Sequence, residues 1–335
     1  MTAPVFASKK HGLVAVLVLA LIWSGFFLFR KTTLLQEPLN SLSSSISSSL
    51  PPAFKPSSSS NPSPRPLILY AYKESENARA NLEFFLHQGL HAAADFIFIL
   101  NGETDAAALI PTEQHANIRV VQRANTCFDL GAFGEVLREG DLWRQYSRFI
   151  TLNASIRGPF LPTWSDQCWS DAYLDRITER VKLVGMTVNC WPRPHLQSMI
   201  WTTDAVGMAI LLDPPANASE PDMWGGADDT VAFGGCYAEF QRAIHAEIGA
   251  TPAIRGMGYE VSAMMAAFQG EEYIDECAEH PHDVLYDGRY FGTNIHPYET
   301  IFIKANRNID PAALELLTGV HKRPKYEGRS WDLCK

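Results

Sequence analysis

The hydrophobic pattern divides the chain into three stretches. Residues 12–29 are apolar and carry no charge, with Lys9, Lys10 and His11 before them and Arg30 and Lys31 after. As a helix rising about 1.5 Å per residue, this run reaches roughly 27 Å, enough for a thin bilayer. Serines then dominate 42–49 and 57–60, and prolines punctuate 51–66. That composition buries too little apolar surface to fold and predicts a solvated, disordered stem.

From residue 67 the pattern changes. Short apolar runs at 66–72, 95–100, 118–122, 149–153 and 181–188 predict strands. Between them, 75–90 has helical spacing, with Leu82, Phe85, Leu86 and Leu90 on one face. Residues 129–138 and 170–180 also read as helices, the first with Asp129 as its cap. Beyond residue 190 the pattern loosens, and helices are expected near 204–212, 235–248, 257–269 and 311–317. Strands alternating with helices predict an α/β fold with a mostly parallel central sheet flanked by helices. Ligands of such sheets bind beyond the carboxyl ends of the strands. The candidate segments are therefore 72–75, 101–105, 125–129 and 153–159.

Composition narrows the class. Residues 67–335 are long enough for one large domain with a full core. A net charge of −9 argues against a nucleic-acid partner or an anionic membrane surface. Six cysteines (Cys127, Cys168, Cys190, Cys236, Cys277 and Cys334) form no CxxC pair, which disfavours a zinc ribbon. They are either as many as three disulfides or buried thiols. Asn217-Ala218-Ser219 is a glycosylation sequon in a polar, Pro-rich stretch. Asn153-Ala154-Ser155 also fits, but follows an apolar strand and is expected to be buried.

Basic residues flank the apolar run on both sides, so the positive-inside rule does not orient it. The sequons and cysteines favour a lumenal C-terminus. Bulky 26–29 offers no small-residue cleavage site, which favours an anchor over a removed signal peptide. The expected layout is a single-pass type II protein of the Golgi or endoplasmic reticulum membrane. It has a cytoplasmic tail at 1–11, a transmembrane signal-anchor at 12–29, a stem at 30–66 and a lumenal domain at 67–335.

The strand ends carry an ordered series of motifs. Leu69-Tyr70-Ala71-Tyr72-Lys73-Glu74, then Asn101-Gly102-Glu103-Thr104-Asp105 after a second strand, resembles the opening of family 2-type glycosyltransferases. Arg123-Ala124-Asn125-Thr126-Cys127-Phe128-Asp129-Leu130-Gly131 resembles the Asn-x-Gly-x-Asp-x-Gly segment of rhamnan synthesis protein F and its relatives, with Cys127 in place of a glycine. Leu152-Asn153-Ala154-Ser155-Ile156-Arg157-Gly158-Pro159 and His195-Leu196-Gln197-Ser198 resemble two further blocks of that family. Tyr259-Glu260-Val261 and 298–304 resemble its later ones.

The resemblance spans roughly 67–305 and implies a GT-A-like (Rossmann-like) fold. It also implies transfer of a hexose or deoxyhexose, with inversion, from a nucleotide-diphosphate sugar donor to a hydroxyl of a glycan or glycoconjugate. Donor-binding positions implied or suggested by placement are Tyr72, Asn101, Asp105, Asn125, Asp129, Asn153, Ser155, Gln197, Lys304 and Arg307. Asp129 serves either the ribose or its helix. Lys304 and Arg307 either grip the diphosphate or lie at a solvated strand end. Glu260 near an expected helix start, then His195, are the candidate bases; helix capping and core hydrogen bonding are their structural alternatives. Asp228 and Asp229 follow as a third option.

GT-A enzymes place Asp-x-Asp at a strand end to bind manganese or magnesium. Here Asn153 and Ser155 stand there. Metal use is thus an open expectation, with Arg157, Lys304 and Arg307 as alternative counter-charges. Loss of both carboxylates also keeps open a non-catalytic glycan-binding or scaffold protein. A hydrolase pairing Glu260 with Asp228 or Asp229 is a further alternative. Trp164, Trp169, Trp191, Trp201 and Trp224 are read as core or sugar-stacking residues, and 280–282 as a loop.

Overall fold

A strand with no exposed face organises the domain. In β1 (Leu67–Tyr72) every residue is buried. Strands covered on both faces read as continuous apolar runs, which is why this stretch shows no polar alternation. The computed structural model describes residues 62–267, 269, 277 and 282–335. The expected tail, the apolar run 12–29 and the stem up to residue 61 lie outside the described residues, as do His280 and Pro281. Among the described residues, no helix is long and apolar enough to cross a membrane.

Ser63 pairs with Tyr146, and Pro66 accepts from Asp95, so ordered backbone precedes β1. Helix α1 (Glu76–Gln88) begins at Ser75, whose hydroxyl accepts from the Ala78 amide. It leads to β2 (Asp95–Asn101), β3 (Ile118–Arg123), α2 (Asp129–Arg138) and β4 (Arg148–Asn153). After the short β5 (Ile156–Arg157) come α3 (Trp169–Leu174), β6 (Val181–Gly185) and a hairpin of β7 (Val188–Asn189) with β8 (His195–Leu196). Then follow β9 (Ile200–Asp204), α4 (Ala205–Leu212), α5 (Phe240–Gly256) and β10 (Glu260–Ala263). The chain closes with α6 (Pro297–Thr300), β11 (Ile303–Lys304), α7 (Pro311–His321) and α8 (Arg329–Leu333).

The central sheet has the order β10-β6-β9-β4-β1-β2-β3. Strands β3, β2, β1 and β4 are parallel neighbours; β9 runs antiparallel between β4 and β6, and β10 is parallel to β6. This is a mixed α/β fold with a mostly parallel sheet. The Phe85 ring of α1 lies 4.9 Å from Tyr70 and edge-on to Trp169 at 5.8 Å. Phe133 of α2 meets Phe233, which also packs on Trp201.

Several expected elements are corrected. Helix 257–269 does not form: Gly258, at φ +82°, ends α5, and 260–263 returns to the sheet edge beside β6. The helix expected at 235–248 begins later, at Phe240, and runs through Pro252 to Gly256 because Ile248, Ala250, Ala253 and Ile254 are buried. The helix expected over 170–180 stops at Leu174, and Thr178 then receives the Arg180 and Val181 amides to start β6. The strand expected over 181–188 breaks after Gly185. Asp129 is not the N-cap of α2; Phe128 holds that position, and Asp129 is the first helical residue.

All six cysteines pair, as Cys127–Cys236, Cys168–Cys334 and Cys190–Cys277. The second joins the start of α3 to the last residues across a sequence separation of 166. Replacing both Cys168 and Cys334 by Ser is expected to cost about 2–4 kcal/mol, measured by denaturant unfolding.

His91 is buried between Phe96 and Trp169, and neither ring nitrogen has a hydrogen-bond partner. Burial pushes its pKa down from 6.5 to about 4. The unfolded chain therefore takes up a proton as pH falls below about 6.5 while the folded chain resists until about 4. Stability from this group is full above that window and is lost as pH falls through it. Replacing His91 by Phe should flatten the melting temperature across that range.

Candidate functional site

The parallel strands β1, β2, β3 and β4 end on one rim, and the polar residues just beyond them meet one face of α5. Between the rim and that helix lies an open cleft of about 720 Å³, a size that suits a cofactor-scale ligand. The α5 face is made by Phe240, Ala243, Ile244 and Glu247, at the i, i+3, i+4, i+7 spacing of one helical stripe.

The floor is built from Asn153, Ser155 and Asp129. Asn153 Oδ1 accepts from the Ser155 amide at 3.0 Å and hydroxyl at 2.6 Å, while its Nδ2 donates to Asp129 Oδ2. Asp129 Oδ1 accepts from the Leu130 amide. Burial pushes the Asp129 carboxyl up and the Glu247 charge adds to this, while the Asn153 hydrogen bond, the Leu130 amide and Lys304 oppose it.

Lys304 reaches the cleft from β11, which pairs antiparallel with β5, the strand that follows this floor. Ala305 N donates to Ser155 O at 3.0 Å, fixing that approach. Among the described residues, the Lys304 ammonium makes no hydrogen bond or ion pair. Burial pushes its pKa down and Arg307 adds to this, whereas Glu247, Asp129 and Asp283 act against it. An ammonium so placed is preorganised for an anion.

Glu247 faces the same space. Its Oε1 accepts from the Ser198 backbone amide, which leaves Oε2 for a ligand. Ser198 is therefore the cleft-lining member of the His-Leu-Gln-Ser block. At the far rim, the Tyr72 hydroxyl donates to Glu74 at 2.8 Å. Arg79, then Thr104, hold the Glu74 carboxyl at about 2. Burial, then Glu74, pushes the Tyr72 phenol up to about 12.

Seven expected site residues line this cleft: Tyr72, Asn101, Asn125, Asp129, Asn153, Ser155 and Lys304. Asn101 is largely occupied in holding the rim, donating to Tyr72 O and accepting from Arg123. The others lie elsewhere. Asp105 pairs with Arg79 on the surface. Gln197 accepts from Thr187 and donates to Asp283, which also pairs with Arg307; the Arg307 guanidinium lies over the Tyr286 ring. His195 is buried in its hairpin, its Nδ1 2.8 Å from Arg193 O. Glu260 begins the edge strand and pairs with Arg180. Asp229 pairs with Arg242, and Arg157 bonds Asn81 and Thr318. Trp169 and Trp201 are core; Trp164, Trp191 and Trp224 do not line the cleft. Asn217 is exposed in a turn, whereas Asn153 is half-buried on the cleft floor.

The residues at the Asp-x-Asp position do not fit a divalent metal. Asn153 spends its oxygen on Ser155 and its amide on Asp129, both Asp129 oxygens accept hydrogen bonds, and the charge beside them is an ammonium. Two other groups of metal-type side chains, His91 with Cys168 and Cys334 and Cys127 with Glu135 and Cys236, have their sulfurs committed to disulfides.

Sequence reasoning missed Glu247, Ser198 as its anchor, and Phe240. One signal was present: a lone acid closing the otherwise apolar stripe of Phe240, Ala243 and Ile244.

No protein-family model and no curated protein matches the chain. Among solved structures it is similar to a mannosyltransferase from Pyrobaculum calidifontis in complex with GDP-Man and Mn2+. That likeness has 12% identity and a TM-score of 0.39, over 59% of this chain and 54% of that one. It is similar to the glycosyltransferase GlyE of Streptococcus pneumoniae at 5% identity and TM-score 0.29, over 42% and 34% of the two chains. It is also similar to a 4-diphosphocytidyl-2C-methyl-D-erythritol synthase at 13% identity and TM-score 0.31, over 63% and 92%. The chain thus spans little more than half of the mannosyltransferase, and at these scores the likenesses assign no activity.

Proposed function

We propose that this chain is an inverting glycosyltransferase that moves a sugar from a nucleotide-diphosphate donor to a hydroxyl of a glycan or glycoconjugate. The observation that carries the reading is the pair of Glu247 and Lys304, a carboxylate and an ammonium that has no ion pair among the described residues, both facing one cleft at the carboxyl ends of parallel strands. The motif series at those strand ends supports it.

Each residue has a chemical task. The acceptor oxygen attacks the anomeric carbon while its proton passes to Glu247. The bond between that carbon and the diphosphate oxygen breaks, and the electron pair stays on the diphosphate, where Lys304 meets the growing charge. Asn153, held by Asp129 and Ser155, shapes the floor on which the donor lies. Tyr72, Asn101 and Asn125 line the side left for the nucleoside. The base role moves to Glu247 from Glu260 and His195, which lie away from the cleft. Lys304 takes the counter-charge role, since Asn153 and Ser155 at the Asp-x-Asp position do not suit a divalent metal.

The setting we propose is the lumen of the Golgi or endoplasmic reticulum, with 12–29 as a type II anchor. Three disulfides and the exposed Asn217 side chain of its sequon support an oxidising compartment.

The test is thermal unfolding of the purified chain with a panel of nucleoside diphosphates and their sugars, with manganese or with EDTA. One nucleotide family should raise the melting temperature, equally under both conditions. No rise with any nucleotide sinks the reading. A rise without nucleotide release on any acceptor favours a binding protein.

A further inference from the structure

Two aromatic rings at the mouth of the cleft have no part in the chemistry above. Phe128 is 38% exposed and Phe240 62% exposed, and their ring centres are 5.9 Å apart. Leaving a phenylalanine in water forgoes the gain of burying it. Core packing does not account for two such rings side by side at the opening of a polar cleft.

Their backbone is held firmly. The Cys127–Cys236 disulfide joins the residue before Phe128 to the segment that leads into Phe240. Phe128 N donates to Tyr237 O at 2.9 Å, bonding the same two segments. Close approach of the second segment to α2 requires glycine: a Cβ on Gly134 would stand 2.3 Å from Phe233 O, and one on Gly131 3.0 Å from Gly235 O. The rings therefore sit on a preorganised platform, which reduces the ordering cost of binding a ligand.

Position identifies the ligand. Phe240 and Glu247 share one face of α5, seven residues or about 10 Å apart along the axis. An acceptor whose reacting hydroxyl lies at Glu247 must extend beyond one pyranose ring to reach Phe240. The intervening wall, Ala243 and Ile244, is apolar and uncharged. In the reading above the donor lies at Lys304 and the ends of β1 and β2, whereas Glu247 and Phe240 belong to α5.

We propose that Phe128 and Phe240 form an acceptor subsite that stacks on the apolar face of a second sugar ring. The acceptor is then an uncharged saccharide of at least two rings. This inference rests on the glycosyltransferase reading.

The experiment compares the full chain with Phe240→Ala, Phe128→Ala and Phe240→Trp variants. Acceptors are methyl glycosides of monosaccharides and their matched disaccharides, used with the nucleotide sugar that stabilises the wild type. Phe240→Ala should raise KM for the disaccharide about tenfold. It should change KM for the monosaccharide and for the donor less than twofold, and Phe240→Trp should restore the disaccharide value. A rise in donor KM alone would mean that the rings stack on the nucleobase, and overturns the proposal. Equal losses on both acceptors, or no change on either, overturn it as well.

If the wild type transfers nothing, the glycosyltransferase reading fails first, and binding is then read directly. Titration with cellotriose, mannotriose and chitotriose, followed by intrinsic fluorescence or calorimetry, should show a trisaccharide bound by the wild type and lost in Phe240→Ala. No binding by the wild type, or equal binding by the variant, rejects the subsite.

Discussion

Replacing Glu247 by Gln should lower kcat by about 10²–10⁴-fold, the range for removal of a general base. Glutamine keeps the size of the side chain and an oxygen to accept from Ser198, so the fold and the α5 face should persist. Donor affinity should change little, because Glu247 acts on the acceptor's proton. The measurement is steady-state transfer beside nucleotide binding by calorimetry. A variant that keeps its kcat removes Glu247 from the chemistry. One that loses donor binding and kcat together points to a structural role instead. Under the same assay Glu260→Gln should stay within about twofold of wild type, because its partner is Arg180 at the sheet edge.

Replacing Lys304 by Met should weaken binding of the nucleoside diphosphate by about 10- to 100-fold, the worth of a charge-assisted hydrogen bond. Methionine retains the apolar stem packed in the cleft wall, so stability should hold or rise. The pH dependence carries a further signature. Burial lowers the Lys304 pKa, so in the free protein the ammonium deprotonates below the ordinary lysine range. Donor affinity should be constant at lower pH and fall as pH rises through that lowered value. Lys304→Met should be weak at every pH. Lys304→Arg, which stays charged, should move the fall to higher pH. Strong rescue of the Met variant by manganese would show that a metal acts here after all, contrary to the donor set formed by Asn153, Ser155 and Asp129.

The two variants probe two charged groups of one cleft, and the Phe240 variants a third contact. Together they separate donor binding, proton transfer and acceptor reach. The sites of Glu247 and Phe240 lie seven residues apart on a single helix, so their double variant should be checked for non-additivity.

Local pattern determined much of this protein. The apolar runs of β1, β2 and β4 were legible because strands buried on both faces need side chains of one kind, and the edge strand β3 by its shorter apolar run. Their order, with helices between, was enough for a mostly parallel sheet and for the rim where Tyr72, Asn101, Asn125, Asp129, Asn153 and Ser155 gather. Lys304 was legible as a cation just after an apolar stretch. The tertiary structure alone decided which distant groups share that rim. Helix α5 comes to the strand ends through packing of Ile248, Ala250 and Ile254, and so brings Glu247 opposite Lys304. The same packing, with the turn at Gly258, sends Glu260 to the sheet edge and takes it away from the site. The pairing of Cys127 with Cys236, the burial of His195 in a hairpin and the capture of Arg307 by Asp283 are likewise long-range. Periodicity reports which face of an element is buried. It carries no record of which elements meet, because that depends on the summed packing of residues far apart in the chain.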